Sequence, residues 1–372
     1  MAYFKPHSSE NARFCEGEII TRWRAIAQFS MRGVGSTCTT AIDGPRPRRR
    51  LTPTAWMLLL LAGAGWSSAA SAQSVGDAAQ NQWFTGSLVA PSPALSKAGV
   101  FAIEPYAVYT ANTGVYDNDW GHHSVPNDLN QAQSVTVLKY GLTDELSIQA
   151  LPSLSYQWND QTTSRGVGVD DLPVELEYRL KNGDIKTGSP SATIDLGMTF
   201  PTGAYERLHS PLDGVGTGAY LAKEGLLLES LFDTWGDHAM RLRLFGAAYE
   251  PLANVSVRDV SAYGTDQGFQ GRATPGFSAQ SGFAVEYGLD QRWVLALDLV
   301  QNYADGFVLN GTSTASGAVH TSGGSSTSFA LAPAIEYNWS GNLGIIAGVE
   351  FSIAGRNTSS YIVPQVAVSM AF

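Results

Sequence analysis

Along much of this chain, hydrophobic and polar positions alternate one by one, the period of a β-strand with a single apolar face. Within residues 146–158, Leu146, Ile148, Ala150, Leu154, Tyr156 and Trp158 share one face, and Ser147, Gln149, Ser153, Ser155 and Gln157 share the other. Leu172, Val174, Leu176, Tyr178 and Leu180 oppose Asp171, Glu175, Glu177 and Arg179. Trp293, Leu295, Leu297 and Leu299 oppose Ala296, Asp298 and Asn302, and Phe329, Leu331, Ile335, Tyr337 and Trp339 oppose Ala330, Ala334, Glu336 and Asn338. Residues 343–351 repeat the pattern with Gly344, Gly348 and Glu350 on the second face, and the chain ends on Val366, Val368, Met370 and Phe372 facing one way. About twelve antiparallel strands are predicted. The least regular is 220–232, where Lys223 and Glu224 fall on opposite faces.

The connections divide into two classes. Long polar stretches at 111–130, 201–218, 252–275 and 305–325 alternate with short turns such as Thr143-Asp144, Asp290-Gln291 and Ser340-Gly341-Asn342. The Gly/Ser/Thr-rich run 311–328 reads as a mobile external loop. Four strands end alike, in an aliphatic residue, a charge, Tyr, any residue and a large apolar one: Leu138 to Leu142, Leu176 to Leu180, Val285 to Leu289 and Ile335 to Trp339. Tyr140, Tyr178, Tyr287, Tyr337 and Trp339, with Phe372, would then form an aromatic girdle at one membrane interface, a core-packing motif being the alternative. The expectation is an all-β fold over residues 98–372, a transmembrane antiparallel up-and-down barrel. A soluble sandwich shares the period and is the competing fold.

Residues 46–72 read as a cleaved signal peptide, with Arg48, Arg49 and Arg50, an apolar stretch from Trp56 to Trp66, and the small-residue site Ala70-Ser71-Ala72. Residues 1–45 are then a mis-assigned start or an extended leader. Residues 73–97 form no convincing strand and are expected in the periplasm or tucked into the barrel mouth as a plug. Both cysteines, Cys15 and Cys38, precede the expected cut, so residues 73–372 have none for a disulfide. That part carries 14 Lys and Arg against 29 Asp and Glu, net −15, which argues against a nucleic-acid partner.

If the apolar face meets lipid, the other face lines a lumen with Glu104, Lys139, Glu175, Glu177, Arg179, Asp195, Arg241, Arg243, Glu286, Asp298, Glu336 and Glu350. Such charges either pair across the interior or line a wet path. Arg241 and Arg243, one pleat apart, have the spacing to hold anionic groups. A barrel hydrolase would need a Ser beside a His base. His122, His123, His209 and His320 are expected in loops and His238 in a short turn, none on an apolar strand face beside a Ser, so no catalytic residue is assigned. The stretch from Asp117 to His123 has metal-ligand types without the spacing of a calcium loop, so no metal or cofactor is expected. Gly166-Val167-Gly168 and Gly214 to Gly218 lack the strand-to-helix context of phosphate loops and read as turns.

Several of these segments resemble a known family. Gly166-Val167-Gly168-Val169-Asp170-Asp171-Leu172, running into Glu177-Tyr178-Arg179-Leu180, is similar to the Gly-x-Gly-Asp-Leu…Lys-Tyr-Arg-Leu block of outer-membrane proteins associated with the meta-pathway of phenol degradation. Phe200-Pro201-Thr202-Gly203-Ala204-Tyr205 resembles their Pro-Thr-Gly-Asp-Tyr signature, and Gly216-Thr217-Gly218 follows. The departures are the extra Asp170, Glu177 for Lys and Ala204 for Asp. The resemblance implies an outer-membrane barrel that passes small, hydrophobic or aromatic compounds. The aromatic end at Phe372 resembles the closing strand of outer-membrane barrels, which implies recognition by the barrel-insertion machinery, with outer-membrane lipid and lipopolysaccharide as surroundings. A closed structural or partner-binding barrel and a lipid-modifying barrel enzyme are the alternative functions.

Overall fold

The structure, a computed structural model, describes residues 78–125 and 129–372. The predicted leader and signal peptide lie outside them. Among the described residues twelve strands close a single antiparallel barrel: β1 (Phe101–Tyr116), β2 (Asn130–Gly141), β3 (Leu146–Ala150, resuming as Ser153–Trp158), β4 (Leu172–Lys181), β5 (Ser191–Phe200) and β6 (Leu221–Asp233). They continue as β7 (Ala239–Pro251), β8 (Ser278–Gly288), β9 (Trp293–Ala304), β10 (Ser326–Ser340), β11 (Leu343–Arg356) and β12 (Thr358–Ala371). Each strand pairs with its neighbours in sequence, and β1 closes the ring by pairing with β12 from Ala102↔Ala371 to Tyr116↔Thr358.

The alternation sets which way each strand faces. Leu176, Leu196, Leu295, Leu297 and Ile335 all point outward, each more than 40% exposed. Their neighbours Glu177, Asp195, Asp298 and Glu336 are at most 1% exposed and point inward. A water-soluble fold would reverse this arrangement; a barrel that meets hydrocarbon outside requires it. The irregular stretch around Lys223 is strand β6, because Lys223 points in and Glu224 out, as their opposite faces demand.

One wall is interrupted. Pro152 has no amide to give the ladder, and β3 breaks at Leu151-Pro152 opposite the gap between Gly168–Val169 and β4. Leu151 N–H donates to Pro173 O and Asp170 N–H to Ser153 O, which carries the pairing across the break.

The long connections all lie at one end, and two are more ordered than expected. Within the stretches read as loops at 252–275 and 305–325, Val255–Arg258, Gln270–Thr274, Val308–Ser313 and Gly317–Ser322 form a separate four-stranded sheet. Val257, Phe269, Ala273, Phe307 and Leu309 pack beneath it, with Tyr263 edge-on to Phe307. The expectation of a mobile loop at 311–328 is therefore wrong. Its apolar residues, too sparse to signal strands alone, find partners on the preceding loop, and Ser326 to Ser328 already belong to β10. Likewise the loop predicted from residue 111 starts only after Tyr116, since β1 runs to that point. Just beyond it, Asp117 accepts hydrogen bonds from the amides of Asp119 and Gly121 and from the His123 ring at 2.7 Å, which together hold its carboxyl below the usual range.

Candidate functional site: the occupied lumen

Residues 78–97 run inside the barrel. After a single helical turn, Ala78–Asn81, the chain is irregular, so its amides and carbonyls need partners from elsewhere. The wall supplies them in two halves. Carboxylates hold the amides of the first half: Glu336 of β10 accepts from Thr85 N at 2.7 Å and Gly86 N at 3.3 Å. Asp298 of β9 accepts from the Ser87 hydroxyl, from Val89 N at 2.7 Å and from Ala90 N at 3.3 Å. Cations hold the carbonyls of the second half. Arg243 donates to Ala90 O at 3.3 Å, Arg179 to Pro93 O at 2.8 Å, and Lys139 to Ala94 O at 3.3 Å. Ser147 then meets Ser96, and Ala98 bridges to Gly141.

Between the two polar halves sits an apolar anchor. Leu88 is fully buried, and with Val89 and Ala90 it packs against Tyr106, Phe245, Ile346 and Val363 on the inner wall. Inward glycines make the room. A Cβ on Gly344 would strike the Thr85 hydroxyl, and one on Gly348 would come within 2.7 Å of Leu88 Cδ2. Replacing Gly344 by valine should therefore expel Thr85 from Glu336. Hydrogen exchange at the amides of Thr85 and Gly86 should then speed up while those of β11 stay protected; unchanged protection at residues 85 and 86 would refute the close fit.

The same wall charges form three ion-pair groups. Arg241 of β7 grips Glu286 of β8 through two nitrogens, Nη2 at 2.5 Å, and its guanidinium lies 4.1 Å from the ring of Phe84 in the lumen segment. Arg243 reaches Glu229 at 3.0 Å and Glu286 at 3.5 Å. Lys223 bridges Glu175 at 2.7 Å and Asp195 at 2.5 Å, and Lys139 pairs with Glu177 at 2.8 Å. Glu104 accepts from Tyr106 Oη at 3.1 Å, and Glu350 from Tyr361 Oη at 2.8 Å. All twelve charges picked out from alternation sit on inward-facing strand positions, but Arg241 and Arg243 are committed to carboxylates, not offered to anions. Lys223, Glu229 and Asp171 were missed. Lys223 was hidden by its charged neighbour Glu224. Asp171, assigned only to a strand face, accepts from Gly203 N, Thr217 N and the Thr217 hydroxyl and so ties two loops together.

Tyr140, Tyr178, Trp339 and Phe372 are exposed at the short-turn end, while Tyr287 is tilted against His238 at 5.2 Å and Tyr337 against Trp293 at 4.7 Å. One His does lie beside a Ser, in an exposed rim segment and not on an apolar strand face. His122 Nε2 is 2.8 Å from Ser360 Oγ, because a short pairing of His122–His123 with the end of β1 swings the ring across Gly114. Ser360 is only 2% exposed and also meets Thr113 Oγ1, and the nearby carboxylate of Asp117 is bonded to His123 instead. This pins a rim hairpin and gives no oriented base for a nucleophile.

Between the lumen segment and the wall lies a cavity of about 250 Å³. Its lining includes the apolar and aromatic residues Tyr106, Val137, Leu227 and Phe245 and the charged residues Glu104, Glu175, Glu177, Asp195, Lys139 and Lys223.

No family model and no curated protein matches the sequence. Among solved structures, the COG4313 outer membrane channel from Pseudomonas putida F1 is similar at 16% identity and a TM-score of 0.52, covering 76% of this chain and all of the channel. The transport unit of the autotransporter AIDA-I from Escherichia coli (12% identity, 79% of this chain and 97% of that one, TM-score 0.42) and the toluene transporter TodX from Pseudomonas putida (14%, 80% and 96%, 0.37) align more loosely and carry no argument. At these identities the likeness to the channel establishes the fold, that of an outer-membrane β-barrel.

Proposed function

We propose that this protein sits in the outer membrane and lets small compounds pass through its lumen, with residues 78–97 as the element that narrows the path. The observation that carries this reading is the way the lumen is filled. A barrel with a purely structural role has no need of a removable filler. Here the filler is a separate irregular stretch just before the first wall strand, held by side chains of β2, β4, β5, β7, β9 and β10, with a cavity along its flank. Hydrophobic or aromatic cargo is what the family resemblance implies, and the apolar residues in the cavity lining are compatible with it. The fold's likeness to a channel agrees with a non-enzymatic role. Phe372 at the end of β12 supports recognition by the insertion machinery, and the exposed Leu and Ile belt supports lipid and lipopolysaccharide as its surroundings.

The test is single-channel recording of the refolded protein in planar bilayers, after heat-modifiable gel migration has shown that it folded. Discrete conductance steps that aromatic solutes reduce are expected. A folded barrel that stays silent at every voltage would instead favour the closed structural reading.

A further inference from the structure

The cavity beside the lumen segment has an unbalanced electrostatic lining. Four carboxylates border it, from Glu104, Glu175, Glu177 and Asp195. Only two lysines answer them: Lys139 pairs with Glu177, while Lys223 is shared between Glu175 and Asp195. Arg243 also borders the cavity: its Nε reaches Glu229 and Glu286 and its Nη1 the carbonyl of Ala90, while its Nη2 is buried without a hydrogen-bond partner among the described residues. Among the described residues, Glu104 receives a hydrogen bond from Tyr106, and Asp195 is 1% exposed with its Oδ1 buried and lacking a hydrogen-bond partner. A buried carboxylate oxygen without a donor is costly, so the site as it stands favours a cation or strong donor supplied from outside.

The rest of the lining says what kind. Tyr106, Val137, Leu227 and Phe245 add apolar and aromatic surface among the carboxylates, with Val137 cross-strand from Glu104 and Tyr106 donating to it. A dry cavity of ~150 Å³ suffices for benzene, so about 250 Å³ accommodates one ring with a charged substituent. We propose that this cavity is a binding site for small organic cations, compounds with an ammonium head and a compact apolar or aromatic body. The ammonium would meet the carboxylates of the lining, Glu104 being the most accessible of the four, and the body would lie against the apolar residues among them. This names the cargo class of the passage reading and rests on it for access to the site, but binding and passage are measured separately.

Three probes of one size separate charge from shape: benzylammonium, benzyl alcohol and benzoate. Titration calorimetry on the detergent-folded full chain, at mildly alkaline pH where carboxylates are ionised, is expected to show benzylammonium binding at least tenfold more tightly than benzyl alcohol, with benzoate not binding. Single-channel block should rank the probes in the same order. The pair D195N and E104Q should remove most of the preference for benzylammonium over benzyl alcohol. Equal binding of the three probes by the unaltered barrel, or preference for benzoate, would overturn the proposal even if every variant failed to fold. Selective binding of benzylammonium to a barrel that never conducts would uphold the site and refute passage. Conductance without that selectivity would do the reverse.

Discussion

Replacing Asp298 with alanine is expected to free the lumen segment and raise single-channel conductance severalfold. The carboxylate is fully buried and accepts from the Ser87 hydroxyl and from the amides of Val89 and Ala90. Hydrogen bonds to a charged group contribute roughly 1.5–3 kcal/mol each, so even two of them outweigh most single side-chain contacts. Their removal also strands two amides beside an apolar anchor, where water reaches them only if the segment moves. Each 1.4 kcal/mol changes an equilibrium about tenfold, so a segment docked nearly all the time in the native barrel becomes displaced for a measurable fraction of it. Amide exchange at Val89 and Ala90 reports displacement directly, and conductance reports its effect. Asn at position 298 keeps one acceptor and should fall between the two. Unaltered exchange in the alanine variant would show that Leu88 packing and the other wall contacts hold the segment without Asp298.

The second large effect concerns Arg241. Its loss leaves Glu286, which is fully buried, with the more distant Arg243 at 3.5 Å as its remaining cation among the described residues. Breaking one side of a buried ion pair costs about 3–5 kcal/mol, whereas replacing both members with apolar residues is often close to neutral. Arg241→Met should therefore lower the urea midpoint of the refolded barrel strongly, and adding Glu286→Met should restore much of it. Because the guanidinium also covers the ring of Phe84, the single variant should increase exchange at the start of the lumen segment as well. A double variant no more stable than the single one would mean that the pair sits in a wet channel and was never desolvated.

The wall of this molecule was readable from sequence because its rule is local. Leu295, Leu297 and Leu299 alternating with Ala296 and Asp298 fix both a strand and its lipid side, and twelve such segments with alternating turn lengths leave few architectures other than a barrel. The filling was not readable for the opposite reason. Thr85 to Ala94 has no period, since most of its backbone bonds go to side chains at least 45 residues away in sequence. A faint signal existed in Gly344 and Gly348, inward positions without side chains, which mark the close approach of another stretch of backbone. The four-stranded sheet over the long-loop end is hard to see in the sequence because its strands are four to six residues long and its central pairing joins two different loops. The ion pairs needed register: alternation puts Arg241 and Glu286 on the same side, but only the pairing Arg241↔Glu286 across β7 and β8 makes them partners.

The seam between β1 and β12 has a consequence for assembly. Phe101 exchanges backbone hydrogen bonds with Phe372, the first residue of the wall with the last of the chain. No cylinder exists until β12 has been made and paired with β1, and the step that seals it joins the two wall strands farthest apart in sequence, a slow kind of contact to form. The stretch that fills the interior is tethered three residues before that seam. It therefore has until the final zippering to take its place, and the barrel can be built around its own contents instead of being loaded afterwards.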